Sequence, residues 1–450
     1  MNTDYNFESI VQIKTLSPVF IDSGHKLGQF EYLYDNGKLY KLNLKNCFNF
    51  IFDKRKDAMD KLNYWAESKS SLLDTNPNRA RDSYNLNIFD FIGNGQYLND
   101  KNLEQNLKDE IRKSVNNLSD YCISAENNPQ GKDISSVLKN ANNEVYIPGS
   151  TIKGQIRTAL MKEYLLNMPE NELKSLGNEL TEKLKDNRLK RDKVADFIEN
   201  KLFYCGSYQN DRIVYRDEKF DIMKFIHLTD TNSLNPSESL VLLKSELYLN
   251  TKAEIQGQAP IIEAIKSNIQ LSFRISVDVN YILNILNKKD KTREWINFER
   301  KFRNLFQVDL MKFQNNPKEI GKLIVKNIQE SLLKFSNHTY NNDISWIETS
   351  EKKKVLKGKN HYDDFLGKLD EEGINVKLGH GTGYLNNTIF DILRDEKAIN
   401  PLEILNNRNL NILKGKIDKD KIIEFPKSRT LVGSLDKKVA LGWINLKFKI

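Results

Sequence analysis

Clusters of apolar and β-branched residues predict strands near both ends of the chain. The run SIVQIKTLSPVFI (9–21) leads into DSGHKLG, which predicts a strand followed by a glycine-bounded loop. In EYLYDNGKLYKLN (31–43), apolar and aromatic runs flank Asn36-Gly37, a pair typical of a tight β-hairpin. The last thirty residues, KIIEFPKSRTLVGSLDKKVALGWINLKFKI (421–450), predict two strands around a turn.

The interior of the chain alternates between helical and strand patterns. Residues 46–125 are predicted to be mostly helical, and the charge-dense segment 170–200, with leucines at helical spacing, is predicted to be a solvated helical insertion. Strand character returns over 239–277, and a helical block follows over 281–336. Mixed strands and helices of this kind favour an α+β architecture.

The block 281–336 carries an apolar stripe beside a basic face. The stripe consists of Trp295, Phe298, Phe302 and Leu305, and the other face of Arg293, Arg300, Lys301 and Arg303. We interpret the stripe as core and the basic face as solvated, with an RNA or partner contact as the alternative.

Length and composition limit the class of protein. With 450 residues, of which 39% are hydrophobic, the chain predicts two folded domains, placed at about 1–240 and 241–450. The 69 Lys and Arg residues exceed the 61 Asp and Glu residues by only eight, which permits a polyanionic partner without requiring one. Three scattered cysteines predict no disulfide framework, and the scattered histidines predict no metal site.

Neither a signal peptide nor a membrane span is visible in the sequence. The N-terminus lacks a basic and apolar leader, and no stretch reaches the roughly 20 apolar residues of a membrane span. We therefore expect a cytoplasmic protein. Separately, we expect it to have no cofactor.

The stretch YIPGSTIKGQIRTAL (146–160) resembles a nucleotide-binding loop at first sight. Gly149 and Gly154 have the spacing of a Walker loop, but Gln155 follows the second glycine and Lys153 precedes it. A Walker loop needs Lys and then Ser or Thr after that glycine, to reach the terminal phosphates and to ligate magnesium. The sequence therefore excludes a Walker-type NTPase site here.

The same stretch still indicates an anion. Ser150 or Thr151 is predicted to cap a helix in which Lys153 and Arg157 share one face. Cations in the first turns of a helix are unfavourable by about 0.3–1 kcal/mol each, and no acidic residue lies within 145–162 to offset them. An external anion on this helix end would remove the conflict; the alternative is a tight strand-to-helix turn with two surface cations.

Two further segments carry phosphate-binding chemistry. LGHGTGY (378–384) has glycines at alternate positions, which lets a backbone approach a phosphate or a base closely. FPKSRTLV (425–432) places Lys427 and Arg429 on one face of a predicted strand. Each segment alone also fits a plain connector or a solvated strand.

Together and in this order, these segments resemble the RAMP superfamily of CRISPR effector proteins. YIPGSTIKGQIRTAL is similar to the family's strand, turn and helix around IPGSSLKGALR, and LGHGTGY to its glycine-rich loop. LSPVFIDSGHKLG is similar to its opening strand and loop, and PKSRTLV with ALGWI to its closing strands. The resemblance implies ferredoxin-like (RRM-type) cores, each a four-stranded sheet with helices on one face, here with helical insertions.

The resemblance also implies a function and partners. It implies a non-catalytic subunit of a type III-A (Csm) interference complex that caps the 3′ end of the CRISPR RNA (crRNA) and supports crRNA maturation and antiviral defence. The implied partners are crRNA, target RNA, the repeated backbone subunit and the small subunit. The predicted RNA-contacting residues are Gly149, Ser150, Thr151, Lys153, Arg157, Gly379, His380, Gly381, Gly383, Lys427, Arg429, His25 and Lys26.

Two rival functions stay open. In a metal-independent endoribonuclease, His25 would deprotonate a 2′-hydroxyl and Lys26 would stabilise the charged phosphorane. Asp22, in the same loop, is interpreted as a turn former rather than a magnesium ligand, because a lone carboxylate is a poor magnesium site. The other rival is a protein scaffold that recruits host nucleases for processing.

Overall fold

A computed structural model gives the architecture. It describes residues 5–54, 60, 62–64, 67, 101–129, 131–185, 191–209, 212–215, 217–249, 260–288, 294–313, 316–348, 362–369, 373–407, 410, 426, 428–433 and 437–450. Lys427 and Arg293 lie outside these residues, as does most of the segment between the first two helices.

Strands and helices alternate throughout. The strands are β1 Phe7–Thr15, β2 Asp22–Leu27, β3 Tyr32–Asp35, β4 Lys38–Leu42, β5 Ser119–Ala125, β6 Ile134–Val137, β7 Ser207–Gln209, β8 Arg212–Val214, β9 Ile226–Leu228, β10 Leu240–Lys244, β11 Glu246–Leu249, β12 Ile261–Ile265, β13 Gln270–Val277, β14 Ile374–Lys377, β15 Ser428–Val432, β16 Val439–Ala440 and β17 Trp443–Lys449. The helices are α1 Leu44–Lys54, α2 Lys101–Leu118, α3 Gly149–Leu166, α4 Glu170–Leu184, α5 Arg191–Phe203, α6 Pro236–Ser239, α7 Val279–Lys288, α8 Phe298–Phe306, α9 Pro317–Glu348, α10 Tyr362–Leu366, α11 Phe390–Asp395 and α12 Pro401–Leu405.

A five-stranded sheet joins the two ends of the chain. Its order is β14-β17-β1-β13-β9, so the first strand lies between the last strand and β13. Val11 is opposite Phe273 on one side and Phe448 on the other. Along β1, buried and exposed positions alternate, which places one face of the sheet on the core.

Among the described residues, helices cover only that inner face. The long helix α9 contacts β1, β13 and β14, and α3 packs between α9 and β9. At Gly321 of α9 a Cβ atom would lie 2.3 Å from the Cβ of Phe7, so glycine lets the helix and the sheet approach closely. Antiparallel strands with helices on one face confirm the α+β prediction.

A second sheet has seven strands in the order β2-β6-β12-β10-β5-β4-β3. The predicted hairpin is confirmed as β3 and β4, and Asn36 and Gly37 have φ values of 47° and 75°. Both large sheets take strands from both sides of residue 240. The predicted boundary therefore does not separate the sheets, and the division into two domains stays a prediction.

Several local expectations need correction. DSGHKLG is not a loop, because Asp22–Leu27 form strand β2, which pairs irregularly with β6. The C-terminal segment contains three strands rather than two, since β15, β16 and β17 all follow residue 427. The segment 170–200 contains helices α4 and α5 as predicted, but it is not simply solvated, because α4 buries four leucines against the core.

Within 281–336, helices α7, α8 and α9 occupy most of the described residues as predicted, and the apolar stripe is buried, with Trp295 just before α8. Lys301, however, does not lie on a solvated face. Its ammonium donates to the carbonyls of Asn200, Lys201 and Tyr204 at the end of α5, and burial lowers its pKa to about 8. Helical periodicity alone predicts that Lys301 faces solvent. Instead, its ammonium group donates to backbone carbonyls at the end of α5.

Candidate functional site

The glycine-rich loop lies where several of the sequence-predicted segments meet. The backbone N–H of His380 donates to the carbonyl of Phe20 at 2.8 Å. Gly379 has φ +77°, and a Cβ atom there would lie 2.3 Å from the Phe20 oxygen. Only glycine fits this position, because it must both adopt a left-handed conformation and touch a neighbouring backbone.

Helix α3 is tied to the same loop through side-chain amides. Gln155 Nε2 donates to Asn387 Oδ1 at 3.3 Å, and Asn387 Nδ2 donates to Thr382 Oγ1 at 2.6 Å. The helix that follows YIPGSTIKG and the loop LGHGTGY are therefore neighbours in space, although more than 200 residues separate them.

The C-terminal segment packs against the glycine-rich loop through Arg429. Arg429, on β15, is 2% exposed, and its Nη1 lies 3.7 Å from where a Gly383 Cβ would be. Its Nε donates to Asp343 Oδ1 at 3.2 Å, and the buried ammonium of Lys377 donates to the same carboxylate. The guanidinium of Arg429 is therefore buried in an internal ion pair, and its predicted contact with RNA stays a prediction.

Asp343 is the centre of that ion cluster. Burial alone would raise the pKa of Asp343, but the charges of Lys377 and Arg429 outweigh it and hold the pKa below its ordinary value. Tyr362 donates its hydroxyl to the same carboxylate, and Trp443 Nε1 donates to Tyr362 Oη at 3.2 Å. The cluster fixes the base of the glycine-rich loop rather than forming an open site.

The beginning of α3 is closed by the chain itself. The helix starts at Gly149 with Pro148 as N-cap, so neither Ser150 nor Thr151 caps it as predicted. The backbone N–H of Gly149 donates to Asp230 Oδ1 at 2.8 Å. An acidic side chain from a distant segment therefore supplies the negative charge that favours a helix N-terminus.

The two α3 cations are also bound internally. Lys153 Nζ donates to the carbonyl of Ile226 at 2.7 Å, and burial lowers its pKa. Arg157 Nη1 lies 2.8 Å from Asp221 Oδ2, and its Nη2 lies 3.0 Å from Glu199 Oε2. Both cations therefore have partners from segments outside 145–162, which are two carboxylates for Arg157 and a backbone carbonyl for Lys153. RNA contact by either residue stays a prediction.

His25 and Lys26 are exposed on β2. Asp22 is the first residue of β2, and it accepts a hydrogen bond from the N–H of Gly24 at 2.9 Å, a local bond of the kind that turn-forming aspartates make. No described residue hydrogen-bonds to the His25 ring, and a general base usually needs such an orienting partner.

A second buried ion cluster was missed by sequence reasoning. Asp391 is fully buried and accepts hydrogen bonds from Lys162 Nζ, at 2.7 Å, and from His338. Burial alone would raise the pKa of Asp391, but its bond with His338 and the charge of Lys162 lower it. In the sequence, Lys162 lies among apolar positions of helix α3. A lysine is rarely buried without a partner, so this position was the one sequence feature that indicated a buried ion pair.

Within the described part of the chain, no three His, Cys, Asp or Glu side chains are grouped so that they could hold a metal ion. Among the same residues, no helix combines the length and apolar character needed to cross a membrane.

Two known proteins are similar to this chain along much of its sequence. It is 24% identical over 451 residues to the CRISPR system Cms protein Csm5 of Methanocaldococcus jannaschii, covering 97% of this chain and 88% of that protein. It is 24% identical over 289 residues to the CRISPR system Cms protein Csm5 of Streptococcus thermophilus, covering 61% of this chain and 71% of that protein.

Solved structures share the fold. A chain in a cryo-EM structure of a Csm–crRNA–target RNA ternary complex of a type III-A CRISPR-Cas system has a TM-score of 0.65 at 20% identity, covering 98% of this chain and 100% of that one. The crystal structure of T. onnurineus Csm5 has a TM-score of 0.60 at 18% identity, covering 96% and 99%. These matches confirm the predicted fold class.

A family model spans most of the segments that meet at the glycine-rich loop. The model of the RAMP superfamily matches residues 12–420, which includes the opening strand, the α3 segment and the loop. The chain belongs to the RAMP superfamily.

Proposed function

We propose that the chain is a non-catalytic RNA-binding subunit of a type III-A CRISPR (Csm) interference complex, in which it caps the 3′ end of the crRNA. The observation that carries the proposal is the similarity over 97% of the chain to a protein named Csm5. The similarity of the fold to a chain of a Csm–crRNA–target RNA complex supports it. Its partners are then crRNA, target RNA, the repeated backbone subunit and the small subunit.

Binding without catalysis agrees with the chemistry of the exposed groups. A guide strand can be held by its backbone, through amides and cations, without regard to sequence. Of the predicted contacts, Ser150, His380, His25 and Lys26 are exposed, and the proposal retains them. It assigns Arg429 to the support of the loop instead.

Sequencing of captured guides tests the capping role. The complex is purified from cells with and without this chain, and the 3′ ends of the bound crRNA are sequenced. We expect a defined set of 3′ ends with the chain and shorter or scattered ends without it. Identical 3′ ends in both preparations would contradict capping.

The endoribonuclease alternative has its own test, because His25 is exposed. Purified chain is incubated with repeat-containing RNA in EDTA. We expect the RNA to stay intact with both the wild type and His25→Ala. Cleavage at one position by the wild type, lost in His25→Ala, would favour the enzyme. Nuclease recruitment would appear instead as a co-purifying nuclease together with longer, unprocessed guide ends in the absence of the chain.

A further inference from the structure

The outer face of the five-stranded sheet is exposed along three adjacent strands. On β1 the inward residues Val11 and Ile13 are buried, whereas the outward ones are exposed. The same alternation holds on β13 and on the last residues of β17. The open face is defined here by nine outward positions of these strands, namely Glu8, Ile10, Gln12, Lys14, Gln270, Ser272, Arg274, Lys447 and Lys449.

The open face is basic, and most of its charge is unpaired. It has four cations and one carboxylate, and that carboxylate, Glu8, lies 3.4 Å from Arg274 Nη1. Lys14, Lys447 and Lys449 form no ion pair with any described residue and no hydrogen bond through their side chains. In this respect they differ from the cations of helix α3, whose partners are internal.

The register brings the three lysines together. Gln12 is opposite Lys447 and Ile10 is opposite Lys449, so Lys14 lies diagonal to Lys447. Residues two apart on a strand are separated by about 6.7 Å, and diagonal cross-strand neighbours by about 7–8 Å. Like charges this close oppose one another, so the folded chain alone gains nothing from the arrangement.

Protection of a sheet edge does not explain Lys14. Lysines on edge strands discourage pairing with other chains, but Lys14 is opposite Gln270 on one side and Asn445 on the other. Strand β14 pairs with β17 only as far as Leu446, so edge protection applies to Lys447 and Lys449 but leaves Lys14, in the interior of the sheet, unexplained.

We propose that the open face binds the sugar–phosphate backbone of single-stranded RNA through Lys14, Lys447 and Lys449. The proposal goes beyond the predicted contacts, and it rests on the proposed function only for the choice of RNA as the polyanion. None of the nine positions is aromatic, so the contacts are to phosphates rather than stacked bases, and binding is independent of sequence.

An acidic protein surface fits less well. Lysine is depleted from the centres of protein interfaces, which are enriched in aromatic residues, Met and Arg. Ile10, 52% exposed, is the one large apolar side chain among the nine positions. Lysine ammonium groups are, in contrast, ordinary partners of phosphate oxygens.

Binding of the full chain to labelled poly-U, measured by fluorescence anisotropy between 50 and 300 mM salt, tests the proposal. The variant is Lys14→Gln/Lys447→Gln/Lys449→Gln. The control is Lys312→Gln/Lys318→Gln/Lys322→Gln, which removes the same charge on the other side of the sheet. These lysines are exposed, lie before α9 or in its first two turns, and have no partner among the described residues. Three lost phosphate contacts should lower the salt-dependence slope by about 2 and weaken binding about tenfold or more. The control should bind like the wild type.

Equal weakening in both triple variants would overturn the proposal, because only net charge would then matter. So would unchanged binding in the open-face variant, or failure of the wild type to bind poly-U at low salt. Labelled poly-glutamate serves as the acidic-protein probe, and tighter binding of it than of poly-U would also overturn the assignment to RNA. These outcomes are independent of the guide 3′ ends in the purified complex, so capping can fail or stand separately.

Discussion

Two groups of basic residues behave oppositely in this fold. Lys153 and Arg157 on helix α3 lie in the most recognisable motif, yet each is bound to its own chain. Lys14 and Lys447 lie in unremarkable strands, and neither has a partner among the described residues. Whether a cation is available to a polyanion is therefore decided by what the fold places beside it. The predictions below test this difference, from the largest expected effect to the smallest.

The largest loss of free energy of unfolding is expected when Asp343 is replaced. Asp343→Asn leaves Lys377 and Arg429 buried without their counter-charge, and breaking a buried ion pair typically costs about 3–5 kcal/mol. Urea unfolding should show a loss of this size. The matched exposed change Lys447→Gln should stay within about 0.5 kcal/mol. A loss below 1 kcal/mol for Asp343→Asn would show that this cluster does not hold the loop base.

Arg157 should matter for stability and not for poly-U binding. Arg157→Met removes hydrogen bonds to two carboxylates. Charge-assisted bonds contribute about 1.5–3 kcal/mol to stability. The loss should be smaller here, because the Arg157 side chain is 17% exposed and water screens its charge. We expect a lower midpoint in urea and an unchanged anisotropy titration. Lys322→Met, at an exposed position of α9, is the control for loss of one charge. Weaker poly-U binding by Arg157→Met with unchanged stability would contradict the claim that Arg157 is paired internally rather than available to RNA.

Acid should weaken the internal clusters. The folded-state pKa of Asp343 lies below its ordinary value, so the unfolded chain takes up a proton first as the pH falls below about 4. The free energy of unfolding is then lost with a slope of up to about 1.4 kcal/mol per pH unit for this group. Asp343→Asn should show a correspondingly shallower acid slope in urea titrations at pH 5 to 2. Equal slopes in both proteins would contradict the assigned direction.

The smallest effect on stability is expected at the open face. Lys14→Gln/Lys447→Gln/Lys449→Gln relieves repulsion between like charges and removes no internal contact. Each change should stay within about 0.5 kcal/mol in urea unfolding, with a slight gain at low salt. A large loss would mean that these lysines have structural partners.

Local patterns in the sequence predicted local structure well. The turn at Asn36-Gly37 needs only residues that accept positive φ, and those residues are adjacent in the chain. The glycines of the loop predicted a close approach to a phosphate or a base, whereas the structure shows a close approach of Gly379 to the carbonyl of Phe20. The lysines of NLKFK share a face because strand residues alternate, so their common exposure could also have been predicted.

Long-range pairing could not be predicted. Arg157 is 64 residues from Asp221, and Arg429 is 86 residues from Asp343. Nothing in a window of sequence shows which carboxylate will pack there, so both cations were interpreted as available. The same limit hid the register of β1 with β17, which places Lys14 beside Lys447.

Lysine footprinting tests the central claim most directly. The full chain is acetylated briefly with and without poly-U, and the modified lysines are quantified by mass spectrometry. We expect Lys14, Lys447 and Lys449 to be reactive in the free chain and protected by RNA, and Lys322 to be reactive in both states. Lys153 should react weakly in both. RNA-dependent protection of Lys153, with Lys14 and Lys447 unchanged, would contradict the account.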